Sequence, residues 1–332
     1  MLSLTTTLTQ EVKKPSVLVT GAAGGTQGAT GRVLAERLLK RGVAVRALVR
    51  TDDERAASLR AAGAEVVIGD LLNIEDVLHA AQGVDYMFFT FAVQGGLLEA
   101  STIAAIAARD AGKRTSGSVN TLRCLKGIVN NSQWCADLLS PSPVSHRHAL
   151  SEAVFDAFPT LTVHLRGAMY YSNISLQLGR SAATSGTIRA PFMAAEDKVP
   201  LIAGADVAAA ADAVLKDFQS YAGQKLLLIS QLLSLEDIAA DFSNTFNKQV
   251  AFQPVTPDAW YQELNSSTRG QMNSVALEHL QILWQIIRDS NQEGHKFVPA
   301  PAELAAAVPA TETILARKPV SFSETLVATS SA

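Results

Sequence analysis

Residues Val17–Arg50 read VLVTGAAGGTQGATGRVLAERLLKRGVAVRALVR, and the rest of the architecture follows from them. Ser16–Thr20 is a short β-rich run that stops at glycine, the pattern of a buried strand. Gly31–Arg41 carries Val33, Leu34 and Leu38 at helical spacing and stops at Gly42, and Val43–Val49 is again strand-like. Between strand and helix stand Gly21, Gly24, Gly28 and Gly31. A strand, a glycine loop, a helix and a second strand in that order are what a dinucleotide-binding unit needs. One glycine permits the tight turn, another lets the backbone approach a pyrophosphate, and a third lets the helix pack closely. The phosphates then sit on the free amides and positive dipole end of the helix. Gly25, Thr26 and Gln27 lengthen the loop beyond a GxxGxxG spacing, so either inner glycine pair can meet the phosphates.

The alternation continues. Asp53–Ala62 predicts a helix, Glu65–Ile68 a strand, and Ile74–Ala81 a helix capped by Asn73. Asp85–Phe91 and Leu97–Ala111 repeat the pair, and Ile128–Ser132 predicts a fifth strand. This predicts an α/β, doubly wound parallel sheet. Lys113–Gly127 interrupts the pattern with four cations, no acid and no period, and is expected to be a surface insertion. Later, helices are expected at Ala149–Phe158, Val207–Phe218 (capped by Asp206), Leu235–Phe246 (capped by Ser234) and Ala276–Arg288, with one more starting at Thr256–Pro257.

Composition narrows the function. The chain has 332 residues, 48% apolar and 18% charged, which excludes disordered and fibrous classes. Its 28 basic and 31 acidic residues give no electrostatic case for direct nucleic-acid binding. Cys124 and Cys135 are too few for a disulfide framework, which fits a reducing, cytoplasmic setting. Met1–Lys14 lacks a signal-like apolar core, and no apolar run reaches membrane-spanning length, so no membrane partner is expected.

The cofactor choice is read at the ends of the next strands. Arg50 closes the second strand, where a guanidinium can grip a 2′-phosphate, so NADP(H) is favoured over NAD(H); Asp52 and Asp53 just beyond can compete. Asp70, with Leu71 beside it, ends the third strand and is either an adenine contact or a turn residue. Thr90 and Phe91 end the fourth, on the ribose and nicotinamide side. His146-Arg147-His148 cannot put two histidines on one helix face, so no metal site is expected.

Several blocks in order resemble the NmrA-like family of atypical short-chain dehydrogenase/reductases. They are Val17–Arg50, VVIGDLLNIEDVLHAAQGVDYMFF (Val66–Phe89), IVNNSQ (Ile128–Gln133), LTVHLRGAMYYSN (Leu161–Asn173), DVAAAADAVL (Asp206–Leu215), LSLEDIAADFSNTFNKQVAFQPVTPDAW (Leu233–Trp260) and RKPVSF (Arg317–Phe322). The resemblance implies a Rossmann NAD(P)-binding domain with a smaller α+β C-terminal substrate subdomain. The boundaries expected are a flexible tail at 1–14, the Rossmann domain at 15–168 with 113–127 as an insertion, and the subdomain at 169–205 and 231–322. Residues 206–230 return to the sheet, and 323–332 form a second tail. It also implies cofactor contacts from the glycine loop (Gly21, Gly24, Thr26, Gln27, Gly28, Gly31), Arg50 and Asp70, with Ser132 and Gln133 facing the nicotinamide. Tyr170, Tyr171 and Asn173 match the stretch that begins the substrate pocket.

Family members include reductases of quinones, enones and carbonyls, and redox-sensing regulators that act through a protein partner. Here the helix that often carries a lysine in active reductases reads His148-Ala149-Leu150-Ser151-Glu152 and has none. The one Tyr-x-x-x-Lys match, Tyr221–Lys225, contains Gly223 and runs into a strand, so it is set aside. His148, Tyr170 and Tyr171 remain as candidate proton donors. Cys135 is expected to be a buried apolar residue rather than a reactive thiol. An NADPH-dependent oxidoreductase of a small molecule is favoured over a dinucleotide-sensing regulator.

Overall fold

The computed structural model describes residues 16–25, 29–111, 124–191, 193–268, 272–292 and 297–330. The expectations for 1–14, for Thr26, Gln27 and Gly28, and for most of the 113–127 insertion lie outside these residues. The first half contains β1 (Ser16–Thr20), α1 (Thr30–Lys40), β2 (Ala44–Val49), α2 (Glu54–Ala61), β3 (Glu65–Ile68), α3 (Ile74–Ala81), β4 (Tyr86–Phe89), α4 (Leu97–Asp110), β5 (Gly127–Gln133), α5 (Pro143–Asp156) and β6 (Thr162–Gly167). There follow β7 (Met169–Tyr170), α6 (Tyr171–Ser185), β8 (Thr187–Pro191), β9 (Lys198–Ile202), α7 (Gly204–Lys216), α8 (Phe218–Tyr221), β10 (Lys225–Leu228) and β11 (Gln231–Ser234). The last elements are α9 (Leu235–Phe246), β12 (Ala251–Val255), α10 (Pro257–Ser267), α11 (Ser274–Ser290), α12 (Pro301–Leu315) and α13 (Phe322–Ser330).

Seven parallel strands form the central sheet in the order β10-β6-β5-β4-β1-β2-β3. The order reverses beside β1, so β1 and β4 part their connections there and leave a crevice at their carboxyl ends. Side chains alternate between two cores. Val17, Val19 and Phe88 face α1 and α7, while Leu18, Met87 and Phe89 face α3, α4 and α5. This is the expected doubly wound Rossmann sheet. The smaller lobe holds the three-stranded sheet β11-β9-β7 and the pair β12-β8, with α6, α9, α10 and α11 packed on them.

The strand after the insertion is intact. Lys126 binds Asp85 through its side chain at 2.8 Å and its backbone N–H at 2.7 Å, which brings the chain back into register beside β4. The Phe218 ring occupies the place where a Cβ of residue 127 would stand, so the first residue of β5 has to be glycine.

Several elements depart from the sequence expectation. Helix α5 starts at Pro143, six residues before the expected Ala149, because Ser142 caps it and Pro143 takes the first helical position. Helix α6 was not expected: its apolar positions are Ile174, Leu178 and Ala182, a stripe too narrow to stand out among serines and threonines. The expected tail from 323 is instead helix α13, anchored by the fully buried Phe322 against Tyr171 and Phe242.

Asp206 is not the cap of α7. It lies in the first turn, fully buried, and accepts hydrogen bonds from Arg317 Nη2 (2.6 Å), the Val320 N–H (2.8 Å) and Ser230 Oγ (3.0 Å). One carboxylate thus ties the strap 317–320 and the end of β10 to the sheet. Asp206→Asn removes a charged acceptor from three donors and is expected to destabilise the fold by about 2 kcal/mol, read by urea unfolding. Hydrogen exchange should show α13 losing protection before the central sheet.

Candidate functional site

A cavity of about 1050 Å³ opens at the carboxyl ends of β1, β4, β5 and β6 and is closed from above by α6 and α11. Its floor at one end is the glycine loop. Gly21 (φ +64°) has no room for a side chain, since a Cβ would stand 2.6 Å from Thr90 Cγ2. At Gly31 a Cβ would meet the carbonyl oxygens of Thr20 and Gly21 at 2.6 and 2.7 Å, so α1 rests directly on the backbone of β1. Ala29, at the N-cap, supplies no side-chain acceptor, so among the described residues no side chain caps the first-turn amides of α1. These features fit a pyrophosphate: close backbone, free amides and a helix dipole.

Behind the loop a polar chain links three strand ends. Thr20 Oγ1 donates to the Thr90 carbonyl (3.0 Å) and accepts the Thr90 N–H (2.8 Å). Asn131 Nδ2 donates to Thr90 Oγ1 (3.1 Å) and to the Tyr170 phenol (3.2 Å), which also accepts Thr30 Oγ1 (3.3 Å). Tyr170 therefore bridges α1 to β5 across the cavity, and burial raises its pKa.

Ser132 stands on a buried ionic network. Its hydroxyl donates to Glu152 Oε1 (2.7 Å), while Arg166 grips the same carboxylate with two bonds (2.9 and 2.7 Å) and Lys225 Nζ lies 3.0 Å away. Burial pushes Glu152 up, but Arg166 and Ser132 outweigh it and hold it down at about 2. Lys225, the lysine of the rejected Tyr-x-x-x-Lys match, is thus spent on this network. With its proton committed to Glu152, Ser132 offers the cavity lone pairs only.

Gln133 lines the cavity and donates to Ser145 Oγ (3.1 Å). Burial pushes the Cys135 thiol up to about 12, against a contact to Ser145, so it is an inert buried residue. His148 lines the cavity, and burial, opposed by Glu152, lowers its pKa to about 4. It is therefore neutral at physiological pH and no resident acid, contrary to the ordinary titration that made it a candidate.

The cavity brings together Gly21, Gly24, Gly31, Thr90, Phe91, Ser132, Gln133, His148, Tyr170 and Asn173. Arg50, Asp70 and Leu71 lie outside it, at the ends of edge-side strands β2 and β3. Asp70 is a turn residue: its carboxylate accepts the Leu72 N–H at 2.9 Å. Tyr171 is withdrawn as a proton donor. It is 1% exposed, its hydroxyl donates to Gln231 and the Val320 carbonyl, and burial raises its pKa. The step from β7 into α6 turns adjacent tyrosines to opposite sides, which the Tyr170-Tyr171 doublet could not reveal.

Sequence reasoning missed Asn131, Trp134 and His279, all on the cavity wall. A signal for His279 existed: with Ala276, Leu280 and Leu283 it forms an i, i+3, i+4, i+7 stripe on α11, a histidine set among core positions.

An NmrA-like family model matches residues 156–324, just over half of the chain, and an NAD(P)H-binding model matches 25–137. The chain belongs to the NmrA-like family. Its fold is that of several solved structures. NmrA, a negative transcriptional regulator in complex with NAD, aligns with a TM-score of 0.74 at 18% identity over 95% of this chain and 94% of that one. Triphenylmethane reductase of Citrobacter sp., complexed with NADP(H), aligns with 0.72 at 22% identity over 94% and 99%. An NADPH-dependent quinone oxidoreductase from Escherichia coli, complexed with NADPH, aligns with 0.71 at 20% identity over 94% and 99%. No curated protein matches the sequence. As an NmrA-like protein the chain has an NAD(P)-binding Rossmann fold, and among the described residues no helix is long and apolar enough to cross a membrane.

Two outcomes follow from this geometry. Gly31→Val forces a branched side chain into the Thr20 and Gly21 carbonyls, so dinucleotide binding should be lost in calorimetric titration and the unfolding midpoint should fall. His148 and His279 are both held below 6.5, at about 4 and about 3, so the unfolded chain takes up their protons first. Their contribution to stability is full above pH 6.5 and is lost as pH falls toward 4, by roughly 1 kcal/mol per pH unit for each ring. Urea midpoints between pH 7 and 5 should show this slope, and the double variant His148→Gln/His279→Gln should flatten it.

Proposed function

We propose that the protein is an NADPH-dependent oxidoreductase that reduces a small quinone, enone or carbonyl compound. The observation that carries this reading is the continuity of one cavity from the glycine loop to a second end walled by Trp134, His148, Asn173 and α11. A protein that only sensed the dinucleotide would need no such second end. Relatives in fold described as a reductase and a quinone oxidoreductase, each with NADP(H) or NADPH bound, support it.

NADP(H) is preferred on the strength of Arg50. It is exposed at the end of β2, while the carboxylates that would compete for ribose are engaged: Asp52 with Arg60 at 2.6 Å, and Asp53 with Arg55 at 2.6 Å and as the cap of α2. The guanidinium is therefore the group open to a 2′-phosphate. When bound, the reduced nicotinamide supplies the hydride. The chain's own residues position and enclose. The α1 amides hold phosphate, Thr90 and Asn131 fix the strand ends, and Ser132 presents an acceptor whose orientation Glu152 sets. Among the described residues the cavity wall carries no carboxyl group and no charged histidine, and the protonated acid on it is the Tyr170 phenol, so the accompanying proton comes from Tyr170 or from water.

A second reading, a redox-sensing regulator acting through a protein partner, is favoured by the absence of a lysine or carboxyl group from the described cavity wall and by the fold likeness to NmrA. Turnover separates the two. NADPH oxidation followed across a panel of quinones and enones should be measurable for the reductase, whereas tight NADPH binding without turnover on any of them supports the regulator. Calorimetry should find NADPH bound at least roughly tenfold tighter than NADH, with Arg50→Ala bringing the two together. Equal affinities in the unaltered protein would overturn the NADP assignment.

A further inference from the structure

His279 stands on α11, in the C-terminal lobe, and lines the cavity across from the sheet. Its Nδ1 lies 2.8 Å from Ser142 Oγ. Ser142 is fully buried, and its oxygen already accepts the Ser145 N–H at 3.3 Å. Among the described residues the hydroxyl proton has one acceptor in reach, His279 Nδ1. If Nδ1 carried a proton, two hydrogens would face each other or the buried hydroxyl would be left unsatisfied. The ring therefore accepts at Nδ1 and, when neutral, carries its proton on Nε2. Burial and the neighbouring His148 push its pKa down to about 3, so the neutral form prevails. Nε2 has no protein partner among the described residues.

The surroundings say what that donor is for. Arg180 is the one charged side chain among the described residues of the cavity wall, so nothing there balances a cation. Trp134, 2% exposed and on the same wall, has an indole N–H with no partner among the described residues. A buried donor without an acceptor, as at Trp134 Nε1, costs free energy that a ligand oxygen recovers.

We propose that His279 Nε2–H holds a carbonyl oxygen of an uncharged substrate, and that Ser142 is the positioning residue that keeps the proton on Nε2. The assignment rests on the reductase reading for the use of the cavity. It adds that the C-terminal lobe supplies a neutral hydrogen-bond donor, complementary to an oxygen that gains negative charge as hydride arrives.

The tautomer is tested without cofactor or substrate. Histidine-selective ¹⁵N NMR of the full chain, with the His279 signals assigned by their loss in His279→Gln, should show Nδ1 unprotonated at pH 7. Ser142→Ala should convert it to a mixture. A protonated Nδ1 or an imidazolium in the unaltered protein overturns the proposal. The donor role is tested by binding to the NADP⁺-loaded protein, with menadione against 2-methylnaphthalene, its carbonyl-free counterpart. Menadione should bind roughly tenfold tighter or more, a preference lost in His279→Leu and kept in His279→Gln, whose amide can still donate. A preference that survives His279→Leu, or no preference or binding at all in the unaltered protein, overturns it. The outcomes stay separable from the function above. Carbonyl preference through His279 without NADPH turnover removes the reductase reading alone, and turnover indifferent to His279→Leu removes this proposal alone.

Discussion

The structure depends on the contact at Gly31, where helix α1 lies against the backbone of β1 with no side chain between them. That approach aims the N-terminus of α1 at the crevice where the strand order reverses. Sheet topology and helix dipole then point at one place, which is why the phosphate end of the cavity sits there. A Cβ would move the helix away from the crevice. The reciprocal bonds between Thr20 and Thr90 hold the neighbouring strand ends at the spacing this contact requires.

The other end of the cavity is held by buried charge. Glu152 draws Ser132, Arg166 and Lys225 together beneath the sheet ends, and Asp206 draws Arg317, Val320 and Ser230 together beneath the second lobe. Both carboxylates are fully buried and surrounded by donors, so each ties down segments far apart in the chain. The cavity wall itself is left almost free of charge. Its histidines are neutral and Ser132 is committed as an acceptor. Such a wall orients an uncharged ligand and leaves redox chemistry to the cofactor.

Much of the local structure was legible in the chain. The caps Asn73 and Ser234, Pro257 at a helix start and the strand patterns from Ser16 to Ile68 all stand where local chemistry put them. Local rules worked there because β1 and β4 are buried on both faces and the helices between the strands show apolar sides to the sheet. They failed where burial comes from distant partners. Helix α6 looks polar, the 323–332 segment looks like a tail, and Asp206 looks like a cap. What each became was settled by partners more than a hundred residues away, such as Arg317 for Asp206 and Phe322 for Tyr171.

The glycine loop, the αβ alternation and the position of Arg50 are properties of the chain, because turn geometry, periodicity and the length of a βαβ unit act over a few residues. The pairing of the tyrosines was not: Tyr170 enters the cavity and Tyr171 the core, and only the turn from β7 into α6 separates them. Nor was the state of the histidines. His148 on α5 and His279 on α11 meet the same cavity only after the second lobe folds over the first, and the burial that follows strips both of charge. Proton affinity depends on solvent and neighbours in three dimensions, and a linear pattern carries neither.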